Sequence, residues 1–402
     1  MPPKPRPPKP GRYALLAALI GAGGYAALRL GAASAPPVTV QTPAAPQASQ
    51  TSSAWTPPDP DAPAAPGCVS APPALAAPPP PPALNGQLGL YVAVIDPRTL
   101  APLRSVAYAP AAVFPLASTY KQAVLWAMLR QVDAGTFDLS QKFSVNSGTQ
   151  SLGAYPYDGS TARQLAERMI QYSDNTATDL LHRQVGLQNV QDVADRLKLC
   201  RTRLILPTKD WWAAQAGLSS TYSGTAAWPG ATGPDRLRLA ELIDADARKL
   251  RPDYLQRRLD QYFDGHYNAT DDLKTHNLST PYELSMLVAH EFLQPGLSPA
   301  SQNLQRKLMA LGFGKSALLP IPVAEFGGKG GNGWKILTYS GYFKTKGGEH
   351  VVYAFMLHGS SQTYTMKLTR HAFAWIRAAA SEILAVGDGG KPELPVLGKK
   401  GE

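Results

Sequence analysis

An α+β domain, with one antiparallel sheet built from its two ends and helices between them, is what this 402-residue sequence predicts. Strand patterns lie near residue 90 and again near residues 336–357, with helix patterns between them. A long helical pattern then closes the domain. Proline marks where it starts: 22 of 38 prolines fall within residues 1–82, so the first 84 residues differ in kind from the rest.

Residues 1–12 carry Lys4, Arg6, Lys9 and Arg12 and no carboxylate, and read as a basic cytoplasmic tail. Tyr13 to Leu28 is uncharged and mostly apolar. Extended through residue 33 it makes about one bilayer crossing, at the short end of the usual ~20 residues. A membrane anchor is the expectation. A signal peptide is the alternative, since Ala33-Ser34-Ala35 has the pattern of a cleavage site, followed directly by Pro36. Either exports the rest of the chain, giving an extracytoplasmic domain that is tethered or secreted. Residues 34–84 are rich in Pro and Ala and bury too little apolar surface to fold. They are expected to be a disordered linker, reaching on the order of 100 Å in polyproline II.

The domain is expected over residues 85–388, with a tail over 389–402. Leu88 to Ile95 reads as its first strand, Asp96-Pro97 as a turn, and Arg104 to Tyr108 as the strand that pairs back. Lys121 to Val132 reads as a helix, with Leu125, Met128, Leu129 and Val132 on one face and Gly135 as its stop. Thr161 and Gln164 form a capping box that opens a second helix. Thr280-Pro281 opens another, through about Phe292. Ile336 to Lys344 and His350 to Leu357 read as two strands joined at Gly347-Gly348, and Tyr364 to Leu384 as the terminal helix.

Composition narrows the function. The chain is 44% hydrophobic and 17% charged, enough for a packed core. Its net charge is +10, without Lys/Arg runs in the domain, so nucleic acid is not an expected partner. An anionic substrate or envelope surface fits the charge as well. Two cysteines, Cys68 and Cys200, exclude a disulfide-rich scaffold and leave their pairing open. Seven scattered histidines show no metal-ligand spacing, and no cofactor is expected. His358 and His371 read as structural, and the protein as a monomer.

Three motifs carry chemistry. In Phe114-Pro-Leu-Ala-Ser118-Thr-Tyr-Lys121, a serine at a helix start precedes a lysine by three residues. An amine so placed can take the hydroxyl proton, and the helix N-terminus offers N–H groups to an oxyanion. Taken alone the pattern is common, and an N-cap serine beside a surface lysine reads it as well. Ser173-Asp174-Asn175 reads either as a helix cap or as a hydroxyl proton shuttle with a substrate-binding amide. Gly327 to Trp334 satisfies G-x-G-x-x-G by count, but a strand follows rather than a helix, which excludes a dinucleotide loop. It reads instead as Lys329 on an edge strand whose glycines let a substrate approach; a glycine hairpin is the alternative.

Together and in this order, the motifs resemble the active-site set of serine β-lactamases and penicillin-binding proteins, S-x-x-K, S-D-N and K-T-G. Phe114 to Lys121 and Asp158 to Leu181 resemble class A β-lactamases well beyond the motif residues. The resemblance implies a β-lactamase-like fold with the serine at the junction of the sheet and a helical subdomain, and a β-lactam or cell-wall peptide as substrate. It implies acylation of Ser118, Lys121 as base, Ser173 as proton carrier to the leaving nitrogen, and Asn175 on the acyl side chain. It also implies Lys329 on the substrate carboxylate, Gly331 beside it, and the N–H groups of Ser118 and Asn332 as the oxyanion hole.

The resemblance fails where the ester should be hydrolysed. The family's deacylating glutamate is expected between Thr202 and Gly217, and that segment contains none; Asp210 is its only carboxylate. Gly330 stands where the third motif carries a hydroxyl. Residues 207–277 form a divergent section rich in aromatics, readable as extra core helices or as a lid over the cleft. The expected activity is opening of β-lactams through an acyl-enzyme with slow or atypical deacylation. A D-alanyl-D-alanine carboxypeptidase and a sensor that acylates and stops are the alternatives.

Overall fold

The structure is a computed structural model that describes residues 66–153, 157–220, 233–265, 267–318 and 321–385. The expected basic tail, anchor and C-terminal tail lie outside these residues.

The linker ends earlier than expected. From Pro66 the chain packs on the domain, in three ways. Cys68 and Cys200 form a disulfide across 132 residues. Strand β1 (Leu75–Ala76) pairs in parallel with Leu75 opposite Val106. The Trp375 indole N–H donates to Pro78 O at 2.7 Å. Proline content alone did not reveal this, because the segment is held by a covalent staple and a sheet edge rather than by a core of its own.

Strands β2 (Gln87–Ile95) and β3 (Pro102–Tyr108) follow, joined by a turn in which Asp96 Oδ1 accepts the N–H groups of Arg98 and Thr99. Strand β4 (Phe114–Pro115) leads into a 3₁₀ turn, Ala117–Tyr120, and then helix α1 (Lys121–Asp133). Strands β5 (Lys142–Phe143) and β6 (Ser160–Thr161) pair and precede α2 (Ala162–Gln171), whose capping box is formed as expected. Then come α3 (Asn175–Val185), α4 (Leu187–Arg196) and α5 (Thr208–Gln215). The divergent section adds α6 (Gly233–Lys249), α7 (Pro252–Gly265) and α8 (Ala269–Thr275). Strand β7 (Leu278–Ser279) pairs with β4, and α9 (Pro281–Leu293) and α10 (Pro299–Ala310) follow. Strands β8 (Val323–Gly333), β9 (Ile336–Thr345) and β10 (His350–His358) precede α11 (Met366–Ala385).

The main sheet runs β1-β3-β2-β10-β9-β8, antiparallel except at β1. Both ends of the domain thus share one sheet, as the sequence predicts. Residue alternation builds the layers. In β2, Leu90, Val92 and Val94 face a core shared with Phe373, Trp375 and Ile376 of α11. Tyr91, Ala93 and Ile95 face the opposite core, filled by the helical layer around α1. Both sheet faces are therefore covered, and β8 is left as the edge strand beside the start of α1.

Candidate active site

The 3₁₀ turn places Ser118, the candidate nucleophile. Residues three apart eclipse in such a turn, so Ser118 and Lys121 share one side, and Ser118 is half-buried while Lys121 is fully buried. Ala117 before it has φ of +44°, a conformation that non-glycine residues rarely hold without support from their surroundings. That support comes from the sheet: Thr338 Oγ1 donates to Leu116 O at 2.9 Å, and Gln122 Nε2 to Ser340 Oγ at 2.9 Å.

Ser173 also sits in the left-handed region, at φ +57°. This turn between α2 and α3 presents both its carbonyl and its hydroxyl to one lysine. Lys121 Nζ donates to Ser173 O at 2.6 Å, to Ser173 Oγ at 3.2 Å and to Asn175 Oδ1 at 2.7 Å. Asp174 holds the turn, capping α3 through the Ala177 N–H at 2.9 Å and pairing with Arg168 at 2.7 Å. So Asp174 is the cap that the sequence allowed, while its neighbours on either side face the lysine. Asn175 Nδ2 in turn donates to Leu152 O at 3.0 Å.

Lys329 completes the centre from the edge strand. It is buried, and its Nζ donates to Ser173 Oγ at 2.9 Å and to Gly330 O at 2.7 Å. The Ser173 hydroxyl therefore stands between two amines. Burial pulls the Lys121 ammonium down to about 7, against the carboxylates of Asp179 and Asp174, which favour its charge. Lys329 is driven well below the ordinary lysine range by burial and then by Lys121. A neutral Lys121 near neutral pH has a lone pair to take a serine proton. A substrate carboxylate near Lys329 would restore its charge.

The glycines of β8 have different jobs. A Cβ on Gly331 would stand 2.6 Å from the Ser118 backbone N, so only glycine lets the strand run against Ser118. A Cβ on Gly330 would meet Cε1 of Tyr339 at 2.9 Å. Alternation turns position 330 away from the face on which Gly331 meets Ser118. A side chain at 330 would have to displace the Tyr339 ring, which packs over the glycine. Asn332 lies one residue beyond Gly331, opposite Leu337.

The segment expected to carry the deacylating base is organised differently. Asp179 Oδ1 accepts Thr208 N and Oγ1 at 2.6 and 2.7 Å, and its Oδ2 accepts Lys209 N at 2.9 Å. Lys209 is buried and donates to the carbonyls of Ser147, Gly148 and Leu250. Asp210 is fully buried and pairs with Arg183 at 2.8 Å. Burial pushes its carboxyl up and the guanidinium opposes that. Burial likewise disfavours the Arg183 charge, but Asp210, Asp179 and Asp244 outweigh it. Asp210 is thus a scaffold carboxylate, out of contact with solvent.

His358 is structural, as expected: its Nε2 lies 3.0 Å from Asp272 Oδ2, which also accepts the Tyr267 hydroxyl at 2.8 Å. His371 lies half-buried on α11. The sequence reading missed two contributors. Asp179 follows Asn175 by four residues on one helix, a spacing that signals a shared face. Leu152 enters through its carbonyl alone, for which a sequence carries no signal. No group of His, Cys, Asp and Glu suited to a metal occurs among the described residues.

Residues 83–385 match the model of the β-lactamase enzyme family, and the chain belongs to that family. Among solved structures it is similar to the β-lactamase from Sphaerobacter thermophilus DSM 20745, with a TM-score of 0.52 at 18% identity, covering 77% of this chain and 95% of that one. It is also similar to an ancestral class A β-lactamase, that of the last common ancestor of Gram-negative bacteria, with a TM-score of 0.50 at 20% identity, covering 74% of this chain and 94% of that one. At such identities these likenesses establish the fold. A search of curated proteins gives no match.

Proposed function

We propose that this chain is an exported serine acyl-enzyme hydrolase that opens β-lactams, acylates readily and deacylates slowly. The observation that carries the reading is the Ser173 hydroxyl held between Lys121 and Lys329, with Lys121 drawn down to about 7 by burial. Lys121 takes the Ser118 proton as Oγ attacks the lactam carbonyl. The N–H groups of Ser118 and Asn332 receive the oxyanion. The proton then passes through Ser173 to the departing ring nitrogen, while Lys329 holds the substrate carboxylate and Asn175 the acyl amide. The acyl-enzyme ester persists because Asp210 is committed to Arg183 and no glutamate stands in its segment.

The Cys68–Cys200 disulfide supports export, since such bonds persist in oxidising compartments. No helix among the described residues is long and apolar enough to cross a membrane, and the Tyr13 to Leu28 run lies outside them. We place the domain outside the cytoplasmic membrane on this tether, or secreted if the segment is cleaved, and acting as a monomer. The missing glutamate also favours a second reading, a cell-wall D,D-peptidase or a sensor that stops at the acyl-enzyme. Ser118→Ala tests the shared core of both. It should abolish labelling by a fluorescent penicillin and leave the thermal midpoint nearly unchanged; labelling that survives would remove Ser118 from the mechanism.

A further inference from the structure

The divergent section builds a small apolar cluster apart from the two main cores, with Leu152, Leu255, Leu259 and Phe263 buried in it and Trp334 packed against it. Leu152 and Trp334 belong to opposite walls of the cleft. Leu152 carries the carbonyl that Asn175 holds. Trp334 follows Asn332 by two residues, at the turn between β8 and β9. Between them, α7 supplies Phe263, whose ring stacks on Trp334 with centroids 5.0 Å apart and planes 20° apart. The Lys335 ammonium lies 5.1 Å above the Tyr267 ring just beyond α7.

The footing beside Leu152 is fixed by hydrogen bonds and tied to the start of α7. Ser151 N donates to Thr176 Oγ1 at 2.9 Å, and Ser151 Oγ shares a hydrogen bond with Thr208 Oγ1 at 3.0 Å. Lys209 ties Ser147 and Gly148 to the Leu250 carbonyl just before α7. The section is therefore neither an independent set of core helices nor a free flap. It is a brace joining the two walls.

The direction of β8 says which part of a substrate meets the brace. From Lys329 to Asn332 the strand rises about 10 Å, three residues at roughly 3.3 Å each. A substrate with its carboxylate at Lys329 and its reacting carbonyl at Ser118 extends its acyl group past Asn332. That path runs between Leu152 and Trp334, under Phe263. We propose that α7 roofs the acyl end of the cleft, making Phe263 and Trp334 specificity-determining residues that admit β-lactams with a small or absent acyl group and turn away bulky ones. The inference rests on the acyl-enzyme reading above. A bulky acyl group has to displace the Phe263–Trp334 stack, and hydrophobic-pocket discrimination of this kind is worth about 10- to 200-fold in rate.

The test compares acylation rate constants of the full chain for 6-aminopenicillanic acid, which has no acyl group, and for a penicillin with a dimethoxyphenyl acyl group. Their ratio, bulky over unsubstituted, is insensitive to the fraction of folded protein. It should be low in the native chain, rise about tenfold or more in Phe263→Ala and Trp334→Ala, and take an intermediate value in Phe263→Leu. A ratio unchanged within about twofold in both alanine variants overturns the roof, as does a native chain that takes both compounds equally fast. Failure of both compounds to acylate Ser118 is a separate outcome: it removes the acyl-enzyme reading itself, and the roof with it.

Discussion

The two sides of the cleft differ in what their polar groups are left to do. On the Lys121 side, Lys121 donates to Ser173 and Asn175 and Lys329 donates to the same Ser173 hydroxyl, so two amines and a hydroxyl that can exchange protons stand together. On the side of residues 202–217, three groups are bonded into the scaffold: Thr208 to Asp179, Lys209 to three carbonyls, Asp210 through Oδ1 to Arg183. Lys121 and Lys329 are buried, as Lys209 and Asp210 are, so burial alone does not make a catalytic group. Burial depresses Lys121, whose partners are a hydroxyl, a carbonyl and an amide. Asp210 instead faces a full countercharge that holds it in place. On the proposed reading the first side forms the ester, while residues 202–217 hold no glutamate for the family's usual route of breaking it.

That contrast breaks first at Lys121. Lys121→Ala should slow acylation by about 10²–10⁴-fold, the range of a lost general base. In the native chain the acylation rate should rise about tenfold per pH unit below about 7 and level off above it, because only the uncharged amine accepts the proton. A pH profile flat from 5 to 9 would contradict the assignment. At the other side, Asp210→Asn should lower stability by up to about 3–5 kcal/mol, since it leaves Arg183 short of a charge partner. Acyl-enzyme decay should stay within about twofold. A tenfold slower decay at full stability would instead name Asp210 as the base. The smallest effect is expected far from the cleft. Cys68→Ser opens the staple across 132 residues and should cost roughly 2–4 kcal/mol in denaturant unfolding, with acylation unaffected.

The sheet and the helices flanking the site were legible because their signals are local. β2 and β10 alternate or run apolar, Thr161 with Gln164 forms a cap, and Pro281 starts a helix. The three motifs were legible as an ordered set. What escaped depended on contacts between distant residues. Residues 66–84 read as linker because Cys200 and β3 supply what orders them. Gly330 read as a loss, and the Tyr339 ring that packs over it is visible only once β8 and β9 are paired. Residues 207–277 left two readings open, core helices or lid, because the packing of Leu255, Leu259 and Phe263 with Leu152 and Trp334 joins residues far apart in the chain.

The central claim is that this centre forms an acyl-enzyme and lacks the means to hydrolyse it quickly. Intact-protein mass spectrometry of the full chain, sampled from seconds to hours after mixing with a penicillin, tests it directly. The account predicts a single adduct of one penicillin mass, mapped to Ser118, that forms within the first samples and persists through the later ones. An adduct that vanishes within seconds while the penicillin is consumed at the rate of an ordinary lactamase, or no adduct on Ser118 at any time, would contradict it.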